Sequence, residues 1–130
     1  MEILEIDKTL LDTLKDQAKV SPRLRMNCDM RNSSEDTSQR MLNALLPDTQ
    51  VPIHRHEMTD ESVICLCGRL EEIFYEECSS GEGGFKEIAR YTLCPSEGKY
   101  GIQVPAGMWH SIQVIEPSVI FEAKDGAYVP

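Results

Sequence analysis

The stretch that decides the fold is VPIHRHEMTDESVICLCG, residues Val51–Gly68. Histidines stand at 54 and 56, and in an extended chain alternate side chains share a face. Both imidazoles therefore project to one side of a strand, with Arg55 on the other. Glu61 follows five residues later, where the chain can bend and re-enter as the next strand. Only one further histidine exists, His110, in VPAGMWHSI (104–112), just after a Pro-x-Gly turn. Two neighbouring imidazoles, a third from a distant strand and one carboxylate make a nitrogen and oxygen donor set suited to Fe, Mn, Zn, Ni or Co. Such a set leaves positions open for water or substrate, which permits Lewis-acid or redox chemistry. An HxH pair alone is weak, because exposed or hydrogen-bonded histidines are common. Its weight comes from register: every histidine in the chain falls in line with Glu61, Gly68, Pro105 and Gly107.

Working outward, residues 7–19 predict a helix, with Asp7 as cap and Leu10, Leu11, Leu14 and Ala18 as its apolar stripe. Ser21-Pro22 ends it, since the residue before proline is pushed out of the helical region. The rest breaks into short segments of strand character, at about 23–28, 39–46, 51–56, 61–67, 70–77, 85–93, 101–104, 109–115 and 118–124. Turn residues separate them, including Pro47-Asp48, Gly68, Gly81 to Gly84, Pro105 to Gly107 and Glu116-Pro117. Strands at this spacing predict an all-β antiparallel sandwich or closed barrel. The glycine-rich run at 81–84 has no strand-to-helix setting, so it reads as a hairpin tip and not a phosphate loop. A length of 130 residues fits one domain over 1–130, with the helix at 7–19 and the barrel at 23–124.

The formal net charge of −9 argues against nucleic acid or an anionic membrane as partner, since both need a basic field. No run approaches a membrane span, and the opening MEILEIDKTLL lacks the basic and apolar regions of a signal peptide, so a cytoplasmic location is expected. The five cysteines, Cys28, Cys65, Cys67, Cys78 and Cys94, form no disulfide framework and read as reduced thiols. Cys65 and Cys67 would share one strand face and fill space as small hydrophobes.

His54-x-His56-x4-Glu61-x6-Gly68 resembles the first motif of the cupin superfamily, and Pro105-x-Gly107-x2-His110 resembles the core of the second. Asp48 replaces the leading glycine of the first motif, and Val114 the terminal asparagine of the second. The resemblance implies a cupin-type double-stranded β-helix, a jelly-roll barrel, with His54, His56, Glu61 and His110 holding a divalent metal inside its mouth. SPRLRMN (21–27), SQRMLNALLP (38–47), VPIHRH (51–56), VPAGMWHSI (104–112) and FEAKDGAYVP (121–130) together resemble the WbuC family of cupin-fold metalloproteins. Members of that family occur in bacterial polysaccharide gene clusters. Where the family often carries a histidine after its first Arg/Asn segment, this chain has Cys28-Asp29-Met30.

Substrate specificity needs polar groups converging beside the metal. Arg25, Arg40 and Asn43 lie in the segments that match the family best, and an arginine fork suits a phosphate, carboxylate or sugar acid. Gln103 precedes the Pro105 turn and is a fourth candidate. Glu122 and Lys124 share one face of the last strand, opposite Val119, Phe121 and Ala123. Inside the barrel they would form an acid/base couple; on the outside they would be a solvated pair. Trp109 belongs on the face opposite His110, and Tyr128 is placed to fold over the mouth. Three functions fit: an isomerase- or epimerase-like enzyme acting on a carbohydrate or nucleotide-sugar, with a small, anionic sugar as ligand; a non-catalytic metal- and ligand-binding module; and an Fe-dependent oxygenase. By the cupin resemblance, pairing of two copies through an edge strand is expected.

Overall fold

A computed structural model describes residues 2–126. Helix α1 (Lys8–Lys19) opens the chain, and the Asp7 side chain accepts the Leu10 backbone N–H at 2.9 Å, satisfying a donor that a helix start leaves open. Six strands follow: β1 (Arg25–Asp29), β2 (Ser38–Leu45), β3 (Glu61–Glu77), β4 (Phe85–Leu93), β5 (Gly101–Val104) and β6 (Trp109–Asp125). All pairings are antiparallel, in the order β1-β2-β6-β3-β4, with β5 on β3.

Two long strands do most of the building. The segments expected at 61–67 and 70–77 are one strand, as are those at 109–115 and 118–124. Gly68 and Pro117 lie where these strands bend together, and neither interrupts the chain of pairing for long. Gly68 has φ +92°, and a Cβ there would collide with the Pro117 carbonyl and Ser118. Only glycine allows both that left-handed backbone and that approach. The bend turns the second halves of β3 and β6 over to face the first halves. One apolar cluster accordingly joins Leu45, Val63, Cys65 and Ile120 from one side to Leu70, Phe74, Leu93 and Val114 from the other. This is a jelly-roll barrel closed over its own core, in agreement with the all-β expectation.

Irregular pairing at the bend also changes which residues face inward. Cys65 pairs with Ile120 and lies in the barrel core, whereas Cys67 pairs with Val119 and joins a second cluster under α1. The shared face expected for the two cysteines is therefore wrong, because bulges between them reverse the alternation. Burial pushes the Cys65 thiol up to about 12, which leaves it an inert core group. All five cysteines are free.

The second cluster explains α1. Leu14 and Ala18 pack on Leu42, Ala44 and Val119, the outward residues of β2 and β6. The sheet made by β1, β2 and the end of β6 is thus covered on both faces, by the helix outside and the barrel core inside. No helix among the described residues is long and apolar enough to cross a membrane.

Candidate metal centre

Residues 51–56 form no strand; His54 alone makes a bridge, and that bridge is the hinge of the site. Its backbone N–H donates to the His110 carbonyl at 3.0 Å, and the His110 N–H returns to the His54 carbonyl at 2.8 Å. Two histidines 56 positions apart are so fixed directly opposite each other. The turn after β5 ties in the next residue: the Gly107 N–H donates to the His56 carbonyl at 2.7 Å, while Ala106 N–H donates to Asp60 Oδ1 at 2.8 Å. Gly107 makes this turn with φ +81°. Backbone bonds therefore stitch the two motifs together before any ligand is considered.

The three imidazoles converge. One ring nitrogen from each of His54, His56 and His110 lies within 4.8 Å of the others. The Nδ1 of His54 is 2.9 Å from the Pro52 carbonyl oxygen, and that of His110 is 2.9 Å from the Met108 carbonyl. An Nδ1–H donating to a carbonyl leaves the Nε2 lone pair free to face a ligand. Glu61 lies between two of the rings, with Oε2 3.3 Å from His56 Nε2 and Oε1 3.7 Å from His110 Nε2. Both of those ring nitrogens are buried and have no hydrogen-bond partner among the described residues. Buried polar atoms are rarely left so, and a divalent cation accepting the lone pairs would satisfy them. The residues present fit the metal that the cupin motifs imply.

Charge is arranged to match. Burial lowers the pKa of His54, helped by the neighbouring imidazoles, and so favours the neutral ligating form. At His110 burial pulls the same way, but Glu61 and the Met108 carbonyl outweigh it and the net shift is upward. Burial works to raise Glu61, yet His110 and His56 hold its carboxyl well below the usual 4.5. Glu61 thus stands as a carboxylate beside the His56 and His110 rings, where a divalent cation would be held.

The other expected residues divide. Glu122 and Lys124 face inward: Glu122 pairs with Val63 and Met41, and Lys124 pairs with Glu61 itself. Burial, then repulsion from Glu61, pushes the Glu122 carboxyl up to about 8, opposed by a hydrogen bond to Asn43. Asn43 thus joins this group. Arg40 does not. It pairs with Ala123 on the helix-side face, and its guanidinium donates to the Ser38 and Met30 carbonyls and to Asp36. Arg25 shares an inward register with Leu45, three inward positions along β2 from the Gln39–Lys124–Glu61 row, so it is not beside the histidines. Gln103 pairs with Ser62, one residue out of phase with Glu61, and accepts the Ser62 hydroxyl at 2.6 Å on the exposed side. Strand alternation is the reason in the cases of Arg40 and Gln103. Trp109 does sit opposite His110, under the Arg55 guanidinium at 4.4 Å and against Phe85. Tyr128 lies outside the described residues.

Glu72 and Asp60 were not expected. Asp60 braces the Pro105 turn. Glu72 is fully buried, pairs with Ile112 and Tyr91, and lies between Leu70 and Phe74 on the inner face.

The jelly-roll barrel has the fold of the cupins, with three histidines and a carboxylate gathered inside it. Solved structures agree. The capsular polysaccharide assembling protein CapF from Staphylococcus aureus aligns with a TM-score of 0.62 at 18% identity, over 85% of this chain and 30% of its own. KdgF from Halomonas sp. aligns at 0.59 and 15%, over 84% and 85% of the two chains. The cupin domain of Cnp3 from Schizosaccharomyces pombe aligns at 0.53 and 12%, over 78% and 64%. This chain therefore spans under a third of CapF. Residues 6–83, more than half the chain, match DUF6016, a domain of unknown function, and the chain belongs to that family. No curated protein matches it.

Proposed function

We propose that the protein is a metal-dependent cupin of WbuC type that acts on a carbohydrate or nucleotide-sugar in bacterial surface-polysaccharide metabolism, in the manner of an isomerase or epimerase. The observation that carries this reading is the convergence of His54, His56 and His110, with the buried Nε2 atoms of His56 and His110 unpartnered and Glu61 beside them. These four residues would hold the ion. When bound, it supplies Lewis-acid polarisation of a ligand oxygen. The chain's own residues supply the rest. Glu122, its carboxyl held protonated near neutral pH by burial, donates a proton within the barrel. Lys124, in the same row as Glu61, offers a cationic donor to a sugar oxygen at the mouth. Asn43 fixes the Glu122 carboxyl through its side chain. The fold likeness to a capsular polysaccharide assembling protein supports the choice of substrate class.

The test is thermal melting across a panel of nucleotide-sugars and sugar acids, with and without Co(II). A ligand that raises the midpoint only when the metal is present is the expected result, and Glu122→Gln is expected to abolish turnover of that ligand while retaining metal. No response across the panel in metal-loaded protein would contradict the reading.

A further inference from the structure

Glu72 holds a position that the proposed chemistry does not use. It is fully buried on β3, and neither Oε1 nor Oε2 has a hydrogen-bond partner among the described residues. Its register places it inside the barrel. The Glu72–Ile112 row is adjacent to the Phe74–His110 row on one wall, while the Glu122–Val63 row is adjacent to the Lys124–Glu61 row on the other. Glu72 and Glu122 thus each stand one inward position from a row that carries a histidine or carboxylate of the metal centre.

We propose that Glu72 is a ligand-binding residue that hydrogen-bonds a hydroxyl group on the neutral, polyhydroxylated part of a ligand bound below the histidine cluster. Three observations lead there. A fully buried carboxyl with two unpartnered oxygens requires a partner, because an unmade bond in that setting carries the whole desolvation penalty. The partner is not the metal, since Glu61 is the carboxylate in ion-pair range of His56 and His110, whereas Glu72 forms no such pair among the described residues. And the interior is rich in carboxyls: Glu61, Glu72 and Glu122 face it together, and burial, opposed by His110 and reinforced by the Glu61 carboxylate, raises the Glu72 carboxyl. A protonated carboxyl offers one donor and one good acceptor, which match a hydroxyl. With Arg40 on the helix side and Arg25 remote from the histidines, the cation left in the rows around the centre is Lys124, at the row of Glu61. A sugar would therefore enter with its neutral ring inward and any phosphate or carboxylate at the Lys124 end. Apolar neighbours suit a ring face, with Phe74 and Ile112 beside Glu72 on the inner side.

This rests on the reading of the histidine cluster as a ligand-binding metal centre, and the experiment separates the two. Wild type, Glu72→Gln and Glu72→Leu are titrated calorimetrically with D-glucose, D-galactose, D-mannose and UDP-glucose, each with and without Co(II), and Co(II) stoichiometry is measured on the same samples. The expected result is that at least one sugar binds wild type, that Glu72→Leu weakens it by about tenfold or more, and that Glu72→Gln, which keeps a donor and an acceptor, loses far less. Cobalt stoichiometry should be the same in all three. Sugar affinity unchanged in Glu72→Leu, or no sugar bound by wild type, overturns the proposal, and a water-filled structural role for Glu72 would produce the first of these. Absence of Co(II) uptake by wild type would fail the metal reading instead; sugar affinity that depends on Glu72 in the metal-free arm would still support the role of Glu72.

Discussion

Replacing Glu72 by glutamine should make the metal-free protein more stable, and increasingly so as pH rises. Burial raises the Glu72 carboxyl from its usual 4.5 to about 8. Below the lower value the folded and unfolded chains both carry the neutral acid. Between the two the unfolded chain releases its proton while the folded chain keeps it, so stability falls as pH rises through this window and is greatest at its acid end. Each pH step there costs on the order of 1 kcal/mol, and between pH 5 and pH 7 the loss amounts to about 2 to 3 kcal/mol. Glutamine has the same shape and polarity but does not ionise, so this loss disappears. Glu122 pulls in the same direction but is present in both proteins and largely cancels from the difference. Urea unfolding in the presence of chelator, at pH 5, 6 and 7, measures it. The stability advantage of Glu72→Gln should grow by about 2 to 3 kcal/mol across the series, or roughly 10 °C in melting midpoint. A difference that stays constant within about 0.5 kcal/mol would show that Glu72 ionises normally in the folded state and would refute its placement in a dry interior.

Two further outcomes follow from the geometry. Gly68→Ala should lower stability by about 3 kcal/mol or more, because it combines a left-handed backbone with a collision against the Pro117 carbonyl; a melting midpoint within a few degrees of wild type would contradict the tight bend. Co(II) absorbance should be lost as pH falls below the usual histidine value of 6.5, since protons then compete for the ring nitrogens, and not near the carboxylate range, since Glu61 stays charged well below 4.5. Loss of the signal only in the carboxylate range would remove the histidines from the site.

The histidines were legible because their signal is local. His54 and His56 alternate, Gly107 sets a turn before His110, and each relation survives even though 51–56 is not a strand. Glu72 was not legible, and the bend is the reason. Counting by twos from Glu61 through Val63 and Cys65 leads to Glu71, so Glu72 in the run RLEEIFY reads as a solvent-facing charge. Irregular pairing between Cys65 and Leu70 shifts the inward set to Leu70, Glu72 and Phe74. The same cause separates Cys65 from Cys67. Arg40 was ambiguous for a different reason. Helix α1 buries the outer face of β2, so apolar residues occupy both faces and Leu42 and Ala44 do not mark the barrel interior. Glu122 and Lys124 escaped that ambiguity only when the pairing of Lys124 with Glu61 fixed their side.

The central claim is that His54, His56, Glu61 and His110 bind one divalent ion. Metal analysis of protein purified without chelator, beside a His54→Ala variant shown to be folded by circular dichroism, tests it most directly. Stoichiometric transition metal in the wild type and its loss in the variant is the predicted result. Metal-free wild type that also fails to take up Co(II), or stoichiometric metal retained in His54→Ala, would contradict it.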